Sequence, residues 1–286
     1  QRQGKKILLF AFPRILIINL FTMNRCILVT GVFLFLLSAG LFASDIDKYY
    51  AKKEYISPRR DTLRYRVLEP ERIEKNKKYP LVLFLHGAGE RGSDNEAQLV
   101  HGANMFLNPV IRDQHPTFVI YPQCPSECSW SNSSKPNSEG KSGGERFPEN
   151  PEITIPMEAV KAVLDMYMNN DNVDVNRIYV MGLSMGGMGT FDLLCRFPDL
   201  FAAAIPICGG INPERLEKAS PTTAITIYHG DKDDAVFVEN SRAAYRALKK
   251  IGKTPRYIEF PGCGHNSWDP AFNQPDFLEW LFRQSK

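Results

Sequence analysis

The stretch Ile178-Tyr-Val-Met-Gly182-Leu-Ser184-Met-Gly186-Gly-Met-Gly189 narrows the folds open to this chain more than any other. Four β-favouring or apolar residues run into a serine with a glycine two positions away on each side, and a helical pattern follows at once. A strand that turns so abruptly into a helix leaves little space at the corner, which is why glycine flanks the serine. The turn pushes the serine hydroxyl out above the sheet, and the helix behind it aims backbone N–H groups at the same spot.

The rest of the chain repeats this strand-then-turn pattern. Residues 62–68 alternate like a half-exposed strand, and Leu81-Val-Leu-Phe-Leu85 is a continuous apolar run suited to a strand buried on both faces. Further strands are predicted at 117–121, 177–183, 202–207, 224–228 and 256–260. Helices are predicted between them: one behind Pro156 with Met157, Val160, Leu164 and Tyr167 on one face, one at 187–196, one at 239–251 stopped by Gly252, and a last at 276–283. Residues 44–60 are polar and are expected to wrap the surface. Residues 125–152 are rich in Ser, Asn, Gly and Pro, with Trp130 and Phe147 as their only aromatics, and a loop that long is usually functional. The alternation predicts an α/β fold: a single domain with a mostly parallel central sheet and helices on both faces.

In such sheets ligands sit at the carboxyl ends of the strands. Ser184 follows one strand, Asp231, Asp233 and Asp234 follow another, and His265 follows the last, in the order Ser, Asp, His. A serine hydroxyl needs a base within hydrogen-bond reach to become a nucleophile, and His265 is the candidate. The imidazolium then needs a carboxylate to hold its tautomer and charge. Asp233, in mid-loop, is the first choice, with Asp234 and Asp231 as competitors or plain turn residues. A developing oxyanion needs two donors: the N–H of Met185, and one from the loop after strand 81–85, Ala88 first and Gly89 next. His86 is read as bracing that loop. Trp130 and Trp268 are candidates for flanking a substrate's aromatic or sugar group, or for merely packing loops.

Gly87-Ala-Gly89-Glu-Arg-Gly92 matches a dinucleotide fingerprint letter for letter, but Ser-Asp-Asn-Glu follows where an apolar-faced helix is required, so NAD binding is not expected. No cysteine has zinc-like spacing with a histidine, so neither metal nor cofactor is expected.

Residues 1–43 hold five basic residues and no acid, and 26–43 are uncharged and largely apolar. A start at Met23 followed by Asn-Arg reads as a secretory signal peptide with cleavage near Ala43 or Ala39, and residues 1–22 as upstream sequence. The competing reading is a membrane anchor. Beyond residue 43, 30 basic residues face 32 acidic ones, a net charge of −2, which removes the case for a nucleic-acid partner. The mature chain, from near residue 44 to 286, is expected to be secreted or periplasmic, without a stable membrane partner. Of its five cysteines, Cys124 and Cys128 are placed to close a local bridge and Cys208 and Cys263 to pair across the site, with Cys195 as a core residue.

Leu85-His-Gly-Ala-Gly-Glu-Arg-Gly-Ser-Asp-Asn95, Tyr121-Pro-Gln-Cys-Pro125, Arg177–Gly187, Phe197-Pro-Asp-Leu-Phe-Ala-Ala-Ala204 and Gly264-His-Asn-Ser-Trp268 together resemble a group of bacterial α/β hydrolases. These are carboxylesterases often labelled "predicted peptidase", similar to the polyhydroxybutyrate-depolymerase and feruloyl-esterase families. The resemblance runs over roughly residues 60–285 and implies an α/β-hydrolase fold with Ser184, Asp233 and His265 as a catalytic triad and Ala88 and Met185 at the oxyanion hole. With export, it implies an esterase acting on a small ester or acylated carbohydrate, such as a feruloyl or acetyl ester of plant polysaccharide. Two alternatives stand beside it: a serine peptidase of prolyl-oligopeptidase-like type, and a binding module that kept a hydrolase scaffold.

Overall fold

The computed structural model of the protein describes residues 46–133 and 147–286. The expected signal peptide and the middle of the 125–152 loop lie outside the described residues. Among the described residues eight strands form one sheet in the order β1-β2-β4-β3-β5-β6-β7-β8. They are β1 (Tyr50–Ile56), β2 (Thr62–Leu68), β3 (Tyr79–Leu85), β4 (Phe118–Gln123), β5 (Val173–Leu183), β6 (Ala203–Ile207), β7 (Ala224–Gly230) and β8 (Arg256–Phe260). The helices are α1 (Pro109–Gln114), α2 (Ile155–Met168), α3 (Met185–Arg196), α4 (Glu239–Lys250), α5 (Trp268–Phe272) and α6 (Phe277–Phe282).

From β4 through β8 every pairing is parallel, while β1–β2 and β2–β4 are antiparallel. The predicted mostly parallel sheet is what forms. Its one unexpected member is β1, which occupies part of the segment read as surface wrapping. Its charged residues Lys52, Lys53 and Glu54 hid it. They stand exposed on an outer edge strand, where such charges discourage pairing with another chain, and only Tyr50 is buried.

Alternation along the strands assigns the helices to the two faces. Leu81, Leu83 and Leu85 of β3 and Val180 of β5 share a core with Met157 and Val160 of α2, Phe191 and Leu194 of α3, and Ala244 and Leu248 of α4. Their neighbours point the other way: Phe84 packs near Phe272 of α5, Tyr179 against Phe282 and Tyr228 against Phe277 of α6. All seven residues of β3 are buried, and each large apolar side chain so placed contributes roughly 1.5–3 kcal/mol. A rigid central sheet is therefore the platform from whose carboxyl edge the loops of interest project. No helix among the described residues is long and apolar enough to cross a membrane.

Candidate active site

Ser184 joins the end of β5 to the start of α3 with φ 54° and ψ −116°, a conformation rarely open to a residue with a side chain. The flanking glycines supply space. A Cβ on Gly182 would lie 2.5 Å from the Gly186 carbonyl oxygen, and one on Gly186 only 1.9 Å from that of Leu85. The backbone N–H of Ser184 donates to the Ile207 carbonyl at the end of β6, at 2.9 Å, which fixes the corner to the neighbouring strand.

Asp233 and His265 follow β7 and β8. A Cβ on Gly230 would sit 2.3 Å from the Cys263 carbonyl oxygen, so the two loops touch backbone to backbone. The Lys232 N–H donates to Cys263 O at 2.9 Å, and the Gly262 N–H to Asp231 Oδ1 at 2.6 Å. That lacing brings three distant side chains into line. The His265 Nδ1 lies 2.7 Å from Asp233 Oδ2, and its Nε2 lies 2.9 Å from Ser184 Oγ. With the ring proton on Nδ1 donating to the carboxylate, Nε2 is free to accept from the serine hydroxyl. Of the three aspartates, Asp233 alone reaches the ring; Asp231 caps the adjoining turn and Asp234 is exposed.

Asp233 is buried, and burial alone works to raise its pKa. Hydrogen bonds from His229, His265 and the Val236 N–H outweigh burial and hold the carboxyl well below the usual carboxylate range. Residue-type reasoning did not single out His229. Fully buried at the end of β7, it has Nε2 2.7 Å from Val236 O and 3.2 Å from Asp233 Oδ2, both acceptors, so its proton belongs on Nε2. Its Nδ1 then accepts from the Ser241 hydroxyl at 2.7 Å. The available signal was a histidine four positions ahead of the carboxylate, at a strand end.

Ala88 opens a three-residue 3-10 turn and Met185 opens α3. The first N–H of a helical turn has no acceptor one turn behind it, so both are available donors. Gly87 lies against the serine: a carbon on its Cα would meet the Ser184 Cβ at 3.7 Å.

His86 braces the loop, as expected. Burial pushes its pKa down to about 4, so the ring is neutral. Its Nε2 accepts from the Cys124 N–H at 2.9 Å, leaving Nδ1 to donate to Gly87 O at 2.6 Å.

The two tryptophans part company. Trp268 is half-buried and stands edge-on to His265, ring centroids 5.5 Å apart, so it borders the histidine. Trp130 does not fit a substrate-flanking role. It is fully buried, with its indole N–H donating to His86 O at 3.0 Å. α3 leaves room for it at Gly189, where a Cβ would sit 2.7 Å from the Trp130 Cβ.

Neither pairing offered for the cysteines forms: among the described residues Cys124, Cys128, Cys195, Cys208 and Cys263 are free thiols. Cys208, Asp233 and His265 offer ligand-type atoms within 4.8 Å of one another. Burial pushes the Cys208 thiol up to about 12, so its sulfur keeps its proton, and Asp233 Oδ2 already accepts from His265. This donor set suits a hydrogen-bonded relay better than a metal ion.

Residues 70–276 match the family described as phospholipase/carboxylesterase. Over 84% of its length the chain superposes on the crystal structure of a thermostable esterase, with a TM-score of 0.76 and 38% identity. It is 29% identical over 208 residues to poly(3-hydroxyalkanoate) depolymerase C of Paucimonas lemoignei, and 24% identical over 209 residues to feruloyl esterase B of Neurospora crassa, each alignment covering 70% of this chain. The chain spans 64% of the first relative, 44% of the second and 63% of the third, less than two thirds of each.

Proposed function

Because the chain belongs to the phospholipase/carboxylesterase family, we propose that it is a serine carboxylesterase that cleaves acyl esters through an acyl-enzyme on Ser184. The observation that carries this reading is the hydrogen-bonded path from Ser184 Oγ through both nitrogens of His265 to Asp233. Ser184 Oγ attacks the ester carbonyl while its proton passes to His265 Nε2. The carbonyl oxygen becomes an oxyanion held by the Ala88 and Met185 N–H groups, and the buried Asp233 carboxylate stabilises the imidazolium. His265 then returns the proton to the departing alkoxide, which leaves as the alcohol. Water, deprotonated by the same ring, attacks the acyl-serine, releases the acid and restores the hydroxyl.

We read the substrate as an acylated carbohydrate, of feruloyl or acetyl type, met outside the cytoplasm. Support comes from the apolar run after Met23, from Trp268 beside His265, and from likeness to a feruloyl esterase. The test is a panel of p-nitrophenyl acyl esters, methyl ferulate, acetylated xylan and aminoacyl-anilides, with fluorophosphonate labelling of Ser184. Esters should turn over far faster than anilides, and Ser184→Ala should lose at least about 10⁴-fold in kcat with Tm near wild type. Anilide turnover above ester turnover would make the chain a peptidase. A folded wild type that refuses the label would make it a binding module.

A further inference from the structure

The loop that carries Ala88 has three successive carbonyls, and each accepts a hydrogen bond from a side chain. His86 O accepts from Trp130 Nε1–H at 3.0 Å, Gly87 O from His86 Nδ1–H at 2.6 Å, and Ala88 O from Arg91 Nε–H at 3.0 Å. In a trans peptide the C=O and the N–H of one unit point in opposite directions. Fixing the Gly87 carbonyl therefore fixes the direction of the Ala88 N–H, and fixing the Ala88 carbonyl fixes that of the Gly89 N–H. The two bonds pin the peptide groups before and after Ala88, leaving little freedom for a peptide flip that would replace the N–H by a carbonyl oxygen.

His86 and Trp130 are buried and belong to the core; Arg91 is exposed. Among the described residues no carboxylate forms an ion pair with it. Instead its guanidinium bridges two backbone carbonyls, Ala88 O through Nε and, at 3.3 Å, Cys128 O through Nη1. The Pro125–Cys128 turn is itself closed by the Cys128 N–H donating to Pro125 O at 3.0 Å. It begins beside Cys124, whose N–H holds the His86 ring. Arg91 and His86 thus both tie the Ala88 loop to the same neighbouring segment, one at Cys128 and the other at Cys124. An exposed arginine is not needed there for packing, and its planar fork of donors is suited to holding two acceptors at fixed separation.

We propose that Arg91 is a positioning residue for the oxyanion hole, locking the Ala88 loop in the orientation that presents its N–H groups to the developing charge. This rests on the esterase reading above. Because Arg91 contacts no reacting atom, it acts only through the backbone, and its effect is felt where the oxyanion forms rather than where ground-state substrate binds.

The test compares wild type, Arg91→Ala and Arg91→Lys on p-nitrophenyl acetate, together with inhibition by a trifluoromethyl ketone, which forms a tetrahedral oxyanion on the serine. For Arg91→Ala, kcat should fall about tenfold or more with KM within about twofold. The inhibition constant should rise by the same factor as kcat/KM falls, while Tm stays within about 2 °C of wild type. Arg91→Lys, which offers one ammonium in place of a fork, should lie between the two. Unchanged kcat and inhibition constant in Arg91→Ala would overturn the proposal, as would a loss of kcat matched by a large fall in Tm. Wild type serves as the control for the premise: an inactive, unlabelled wild type sinks the esterase reading, whereas an active one indifferent to Arg91→Ala sinks only the role of Arg91.

Discussion

The corner at Ser184 and the pair of loops bearing Asp233 and His265 meet at one point but are held by different forces. Ser184 is positioned by steric exclusion: strand, helix and the neighbouring Leu85 carbonyl crowd so closely that Gly182 and Gly186 have no room for a methyl group. Asp233 is positioned by hydrogen bonds, four of them on two oxygens, from Ala235, Val236, His229 and His265. Crowding tolerates no added atom but is indifferent to polarity, whereas a hydrogen-bonded site tolerates isosteres in shape and fails on their chemistry. Added bulk at the two glycines of the corner should therefore cost folding, and a change of chemistry at Asp233, activity.

The largest effect is expected at the hydrogen-bonded side. Asp233→Asn keeps the volume but replaces an acceptor by an amide that favours the wrong His265 tautomer, so kcat on p-nitrophenyl acetate should fall about 10³–10⁴-fold in a folded protein. Asp234→Asn, one position along and exposed, should leave kcat within about twofold. If both variants retain activity, the pairing with His265 is not what the reaction uses.

At the corner, Gly186→Ala would press a carbon against Leu85 O and should destabilise the fold by about 3 kcal/mol or more, read by urea unfolding. A Gly186→Ala protein as stable as wild type would show that the corner relaxes more easily than its contacts allow.

The smaller expectation concerns acid. The pKa of His86 is lowered from 6.5 to about 4 in the folded protein, so between those values the unfolded chain binds a proton that the native state refuses. Stability is then fully present above about pH 6.5 and declines as pH falls toward 4, by about 3 kcal/mol across the window. Asp233, whose folded pKa is depressed, adds loss of the same sign at still lower pH. His86→Gln should flatten the upper part of that decline. A wild-type profile flat from pH 7 to 4 would contradict the burial of a neutral imidazole.

The family resemblance and the order Ser, Asp, His were both legible in the chain because apolar runs ending in glycine mark buried parallel strands, and such strands present their carboxyl ends together. Seven of the eight strands among the described residues could be read from apolar runs or, at β2, from alternation. The eighth, β1, is an edge strand whose charges face water, so it carries no hydrophobic period to read.

Sequence by itself determined which residue types could do chemistry and at which strand ends they stand, since glycine at 182 and 186 and apolar alternation are local requirements of the backbone. Only the tertiary structure decided which of three neighbouring aspartates faces His265, that His229 supports the chosen one, and that Trp130 is a buried brace while Trp268 borders the site. The choice of aspartate and the seat of Trp130 depend on how distant segments come to rest against one another, through hydrogen bonds between residues 32 and 44 positions apart that no local pattern encodes; His229 stands only four positions from Asp233, and the fold decides that it is buried against that carboxylate.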